Sequence, residues 1–162
     1  MKKVVISGSV KEIGYRAFQN DVNINDLTIK DGVEYIGQIA FGGCIGLQKI
    51  DIPESVTTID EYAFMDCTGL LEVNLSEGLD RIWNGAFSNC SSIKEISIPT
   101  SVNAIFTRAF EDCTQRHGSH DTSKRGGNAM GNIPLLAYPL GGIFCTWKPE
   151  RCYTHDMGCN SF

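Results

Sequence analysis

No stretch of the 162 residues approaches the roughly 20 consecutive apolar positions that a membrane-spanning helix needs. The opening, MKKVVISGSV, has the basic start of a secretory leader, but only Val4-Val5-Ile6 follow before Ser7-Gly8-Ser9. A leader needs roughly 7–15 apolar residues at that point. The sequence therefore reads as that of a chain that stays where it is made, or as a piece of a longer one. Basic residues are also in short supply: 14 Lys and Arg face 19 Asp and Glu, a net charge of −5. That balance argues against nucleic acid or an anionic membrane as the main partner. Apolar residues are not scarce. At 42% they suffice for a buried core, which excludes a disordered or collagen-like chain.

The charge is unevenly spread. Residues 1–113 hold nine basic and sixteen acidic residues, a net of −7, whereas 114–162 hold five and three, a net of +2. All three histidines, His117, His120 and His155, fall in the second part. A boundary near 114 is expected.

The first part repeats. "AFMDCTGLLEVNL", from Ala63, returns as "AFSNCSSIKEISI" from Ala86. Phe18, Phe41, Phe64, Phe87 and Phe110 are spaced by 23, each preceded by Ala, and Cys44, Cys67, Cys90 and Cys113 follow the last four by three. Counting units from Met1, Ile24, Leu47, Leu70 and Ile93, position four reads Val4, Leu27, Ile50, Val73, Ile96. Position six reads Ile6, Ile29, Ile52, Leu75, Ile98, and positions ten and thirteen are likewise aliphatic throughout. Five units run without an insertion over 1–115.

A 23-residue unit is too small to bury its own apolar face and must stack on copies of itself. Each column then becomes a ladder of like side chains along one core. Apolar residues at positions four and six alternate with polar ones, the period of a short strand with one buried face. Copies that all run the same way round a coil pair only in parallel. Strands are predicted near 3–6, 26–29, 49–52, 72–75 and 95–98. The return limb, from position ten, is expected to be extended and then to close in a tight turn or a single 3₁₀ turn, with little or no α-helix.

The pattern in "LQKIDIPESVTTIDEYAFMDC" (47–67) resembles the BspA-like, or Treponema-pallidum-type, leucine-rich repeats, and the resemblance covers 1–115. It implies a leucine-rich repeat solenoid, right-handed and β-rich, with short parallel strands stacked one per 23-residue repeat. It further implies a surface-associated, extracellular protein serving adhesion or protein binding, with no catalytic machinery. The sequence's lack of a leader keeps a cytoplasmic location as the alternative.

The repeat cysteines invite a test. In-register coils lie roughly 5 Å apart, inside the Cα window for a disulfide. Ladder side chains point in parallel, however, and a free Cys serves as a small buried apolar group. Reduced, buried thiols are expected. Beyond 115 the period ends: 116–162 is a separate, non-repetitive tail. The stretch 114–132, which leads into it, reads as a polar Gly/Ser linker. The apolar "IPLLAYPLGGIFCTW" (133–147) is broken by Pro134, Pro139 and two glycines, and could dock on the open end of the solenoid. Cys145, Cys152, His155 and Cys159 could form a Cys₃His zinc set, but their spacings lack the paired knuckles of common structural zinc sites. A disulfide among the three, or no role at all, is also open; no metal or cofactor is expected. A Cys152–His155 nucleophile pair would need an oxyanion site and a pocket that nothing in the sequence indicates. The chain is expected not to be an enzyme.

Function classes follow in order: a protein-binding or adhesion module, a structural spacer, and, remotely, a thiol hydrolase built on the tail. For the first, positions three and five face outward between the buried four and six. The candidate ligand face is thus Asp26, Thr28, Lys49, Asp51, Glu72, Asn74, Glu95 and Ser97. Its mildly acidic mixture suits a basic or mixed-charge protein segment.

Overall fold

The structure, a computed structural model, describes residues 2–113. The tail, with the expected linker, end-docking segment and Cys145, Cys152, His155 and Cys159, lies outside the described residues. Ten strands alternate between two sides of a solenoid, with no helix among the described residues. One side carries β1 (Lys2–Ile6), β3 (Ile24–Ile29), β5 (Lys49–Asp51), β7 (Glu72–Asn74) and β9 (Glu95–Ile96). The other carries the two-residue strands β2 (Glu12–Ile13), β4 (Tyr35–Ile36), β6 (Thr58–Ile59), β8 (Arg81–Ile82) and β10 (Ala104–Ile105). All pairings are parallel, and apart from one shift near Lys2 each residue meets the one 23 further on, as in Val4↔Leu27, Ile50↔Val73 and Ile59↔Ile82.

Two departures from the sequence reading have physical causes. The return limb is itself a sheet: β2, β4, β6, β8 and β10 form one uninterrupted five-stranded ladder. The first side is divided into β1–β3 and β5–β7–β9 rather than continuous. Where β5 meets β7, Leu71 and Glu72 N–H both reach the Gln48 carbonyl, at 2.8 and 3.2 Å. At the β3–β5 edge a side chain takes over: Asn25 Nδ2 donates to the Gly46 carbonyl, 3.2 Å away. Asn25 is also the residue skipped where the β1–β3 register shifts, between Lys2↔Ile24 and Lys3↔Asp26. An extra residue in one strand bends it and interrupts the ladder locally.

The core consists of the predicted columns. Ile24, Leu47, Ile50, Val56, Ile59, Phe64 and Cys67 are all fully buried, and no polar or charged residue is buried among the described residues. Each phenylalanine ring stacks on the next at 5.1–5.4 Å, within 9° of parallel, from Phe18 to Phe110. That spacing matches the distance between neighbouring strands, so the rings follow the coils without tilting to reach one another. The ladder weakens at its first members: Val10 is exposed, and Val4 and Phe18 are only half-buried.

The turn after the return strand is built from alternating hydrogen bonds. Ala63 N–H bonds back to Asp60 within its own coil, while Tyr62, Phe64 and Asp66 N–H donate to Asn84, Ala86 and Ser88 in the next. Aiming alternate N–H groups along the axis requires left-handed backbone at two positions per unit. One column is Arg16, Ile39, Tyr62, Gly85 and Arg108; the other is Asn20, Gly43, Asp66, Asn89 and Asp112, with φ between 55° and 74°. The bonds are thus divided between turn closure and coil stacking, in place of a 3₁₀ turn.

Candidate functional site

The eight candidate residues fall on the first side. Asp26 and Thr28 lie in β3, Lys49 and Asp51 in β5, Glu72 and Asn74 in β7, Glu95 in β9, and Ser97 just after it. Asp26, Lys49, Asp51, Glu72, Asn74 and Ser97 are exposed, and Thr28 is half-buried. The division of the sheet separates the set: Lys49 through Glu95 share one ladder, while Asp26 and Thr28 belong with β1.

Axial partners occupy much of this face. Lys3 Nζ is 2.9 Å from Asp26, and Lys49 Nζ lies 2.8 Å from Glu72 and 3.4 Å from Asp51. Asn74 Nδ2 donates to Asp51 at 2.7 Å and to Glu72 at 2.9 Å. Hydrogen bonds from Lys49 and then Asn74 hold the Glu72 carboxyl below its ordinary range, and the Glu72 partner in turn raises Lys49. Lys49, Asp51, Glu72 and Asn74 therefore form one linked cluster, with a single lysine shared by two carboxylates. Similar links between residues 23 apart recur elsewhere, as in Lys11–Glu34 at 2.7 Å and Asn89–Asp66 at 2.6 Å. The 23-residue register already places Lys3 beside Asp26 and Lys49 beside Glu72, so this axial pairing was open to reading from the polar columns and was overlooked.

The cysteine column is buried and unpaired, as Cys44, Cys67, Cys90 and Cys113. Each thiol donates to the phenylalanine carbonyl of the preceding coil: Cys44 to Phe18 at 3.2 Å, Cys67 to Phe41 at 3.2 Å, Cys90 to Phe64 at 3.1 Å and Cys113 to Phe87 at 2.9 Å. Burial pushes the Cys44 thiol up to about 12. Hydrogen bonding to the Cys113 and Cys67 thiols, reinforced by burial, moves Cys90 well above its ordinary value. A thiol held neutral is a poor nucleophile and a poor metal ligand.

The sequence reading overlooked the opposite face, where aromatic residues gather. Tyr15, Tyr35, Tyr62, Trp83 and Phe106 all lie between positions twelve and sixteen of their units, and Trp83 stacks on Phe106 at 4.3 Å. A cleft of about 310 Å³ opens there, lined by Glu12, Tyr15, Tyr35, Gly37, Gln38 and Asp60. Position fourteen carried a signal: Gly14 and Gly37 stand where later units hold Asp60, Trp83 and Phe106.

Parallel strands on both sides of a helix-free coil, over an aliphatic core with one phenylalanine per turn, define a repeat solenoid of the leucine-rich class. The chain belongs to the BspA-type leucine-rich repeat family: the model described as "BspA type Leucine rich repeat region" matches residues 1–116 in six copies. It is similar to the crystal structure of a leucine-rich repeat protein from T. pallidum, with 31% identity and a TM-score of 0.66 over 68% of this chain and 54% of that one. A leucine-rich repeat protein from Eubacterium ventriosum is 26% identical, with a TM-score of 0.64 over 80% of this chain and 34% of that one. A leucine-rich cell surface protein from Faecalibacterium prausnitzii is 29% identical, with a TM-score of 0.52 over 70% and 37%. The chain thus spans about half the length of the first of these and about a third of the others. A search of curated proteins found no match. The family is generally one of protein-interaction and surface proteins, built on a binding repeat and not on catalytic machinery. Among the described residues no helix is long and apolar enough to cross a membrane.

Proposed function

We propose that the chain is a non-catalytic protein-binding module of a surface-associated protein, serving adhesion, and that its ligand platform is the outer side of the first sheet. One observation carries this reading. Asp26, Lys49, Asp51, Glu72, Asn74 and Ser97 are presented outward in regular rows by a backbone whose inward residues are fixed by the core. Solenoids commonly bind along extended surfaces of this kind. A cell surface location is supported by family membership and by the F. prausnitzii cell surface protein among its structural relatives.

A spacer role is the second reading, and the pairing of Lys49 with Asp51 and Glu72 favours it, because charges that satisfy each other leave less for a partner. The two readings separate by experiment. The purified chain and its Asp51→Lys/Glu72→Lys variant are immobilised and exposed to extracts of host-cell surface protein. A binding module retains a defined protein that is also lost when Lys49→Glu is added to restore the opposite charges, whereas a spacer retains the same background throughout.

A further inference from the structure

On the first side Asp26, Asp51 and Glu72 each pair with a lysine, whereas the cleft on the opposite side holds carboxylates with no lysine or arginine in its lining. Within the cleft beside β2 and β4, Tyr35 is half-buried, and its hydroxyl donates to one carboxylate oxygen of Asp60. The other oxygen of Asp60 is free to accept from elsewhere. Glu12, on the adjacent strand, is exposed and has no hydrogen-bond or ion-pair partner among the described residues. No lysine or arginine is among the lining residues. Among nearby cations, Lys11 pairs with Glu34 at 2.7 Å and Arg81 with Asp80 at 3.2 Å, while Arg16 makes no ion pair among the described residues and lies over the Tyr15 ring. Gly37 forms part of the cleft wall, and a Cβ there would press on the preceding coil, 2.6 Å from the Ile13 carbonyl oxygen.

We propose that this cleft receives an arginine side chain presented by a partner protein. A guanidinium is planar and weakly hydrated; it stacks on aromatic faces and donates a fork of N–H groups to carboxylates. The cleft offers both features, with Tyr35 and the ring face of Tyr15 not covered by Arg16 as walls, and Glu12 and Asp60 as acceptors. The chain itself shows the stacking on one wall: the Arg16 guanidinium carbon lies over the Tyr15 ring, 4.8 Å from its centroid. A lysine ammonium, compact and strongly hydrated, would gain less from the tyrosines. The acceptor pair occurs once in the repeats: position twelve is Glu only in the first unit, and position fourteen is Asp only in the third. The proposal stands apart from the first-side platform, since it uses the other sheet and none of the platform residues.

The test titrates N-acetyl-arginine methylamide into the full chain while amide resonances are followed by NMR, with the lysine and citrulline counterparts in parallel. The expected result is saturable binding on the order of millimolar, as for one isolated side chain, with shifts centred on Gly37 and Gln38. The lysine compound should bind more weakly and the uncharged citrulline compound not at all. Glu12→Gln with Asp60→Asn should weaken binding about tenfold through loss of charge-assisted acceptors. Glu12→Arg should abolish it by placing the chain's own guanidinium against the acceptors, while Asp51→Lys/Glu72→Lys leaves it unchanged. If the arginine variant loses its native spectrum, Glu12→Lys takes its place. Absence of saturable shifts at Gly37 and Gln38, citrulline binding equal to arginine, or undiminished binding in the charge variant would each overturn the proposal.

Discussion

The Cys67 thiol donates to the Phe41 carbonyl 3.2 Å away, and the same carbonyl accepts the Cys44 backbone N–H at 3.1 Å. One oxygen thus closes the turn of its own coil and fastens the next coil to it. The relationship recurs at Phe64, which accepts from Cys67 N–H and Cys90 Sγ. A buried S–H with an acceptor is a satisfied group, which explains why a polar-tipped residue fills a column with no exposure.

Thiol chemistry should follow. In the native protein Cys44, Cys67 and Cys90 are expected to resist alkylation at pH 8 and to react only after unfolding, read by mass spectrometry. Early labelling of Cys67 or Cys90 would place that column in water. The pH dependence has a definite sign. With the Cys44 thiol raised from 9.0 to about 12 in the fold, its contribution is full below pH 9 and is lost as pH rises towards 12. Above pH 9 the unfolded chain releases the proton first. Denaturation midpoints should therefore fall between pH 9 and 11, and less steeply in Cys44→Ala.

Phe64 and Tyr62 are two residues apart and should respond very differently to truncation. Phe64 is fully buried and stacked between Phe41 and Phe87, so Phe64→Ala is expected to cost ~3–5 kcal/mol. Tyr62 is half-buried and sits at φ 56°, outside the apolar columns. Tyr62→Ala should cost about 1 kcal/mol, typical of substitutions away from the core. Equal losses in urea denaturation would contradict the placement of the phenylalanine ladder.

Ile39 occupies left-handed backbone at φ 57°. For a β-branched side chain that conformation carries roughly 1–2 kcal/mol of strain. Asparagine, which adopts it readily, should relieve part of this, and the lost apolar contact of a half-buried side chain offsets only some of the gain. Ile39→Asn is expected to raise the thermal midpoint by a few degrees, about what a gain of ~1 kcal/mol yields in a chain of this size. A lowered midpoint would show that the packing of Ile39 against Gly42 outweighs the backbone strain.

How much of this was legible depended on what a column demands. Stacked core positions accept only like side chains, so Ile13 through Ile82 and Phe18 through Phe110 announced the ladder and its parallel sense. The second sheet was hidden because each of its strands is two residues long. Glu12-Ile13 and Thr58-Ile59 show one apolar residue in phase and no alternation to read. Of the two left-handed columns, Asn20, Gly43, Asp66, Asn89 and Asp112 carried a visible sign, being of types that tolerate positive φ. The other, with Arg16, Ile39 and Tyr62, carried none, because hydrogen bonds to the next coil impose the conformation on whatever residue is present. The candidate face was legible as outward-facing from the alternation around Ile50 and Val73. The register also put Lys49 opposite Glu72, but that the lysine reaches Asp51 on its own strand as well depends on a side-chain rotamer that no column reports.

That bridge shapes the test of the platform. Asp51→Lys with Glu72→Lys would surround Lys49 with two more lysines and remove both of its partners. Repulsion alone could then loosen the first side, and a loss of binding would be ambiguous. Adding Lys49→Glu restores opposite charges at each contact with the polarity inverted, so the triple variant should recover the stability of the parent. Measurements belong between pH 4.5 and 10.5. Glu72, whose pKa is lowered from 4.5, keeps its contribution above that value and loses it as pH falls below. Lys49, raised from 10.5, keeps its contribution below that value and loses it above. Charges at a partly solvated rim chiefly set encounter rate and salt dependence. Against a basic partner retained by the parent chain, the triple variant should thus associate more slowly by about tenfold at low salt, and the deficit should shrink as salt screens it. Unchanged association in the triple variant, with binding instead lost on Glu12→Arg, would move the recognition surface from the first side to the cleft between Tyr15 and Asp60.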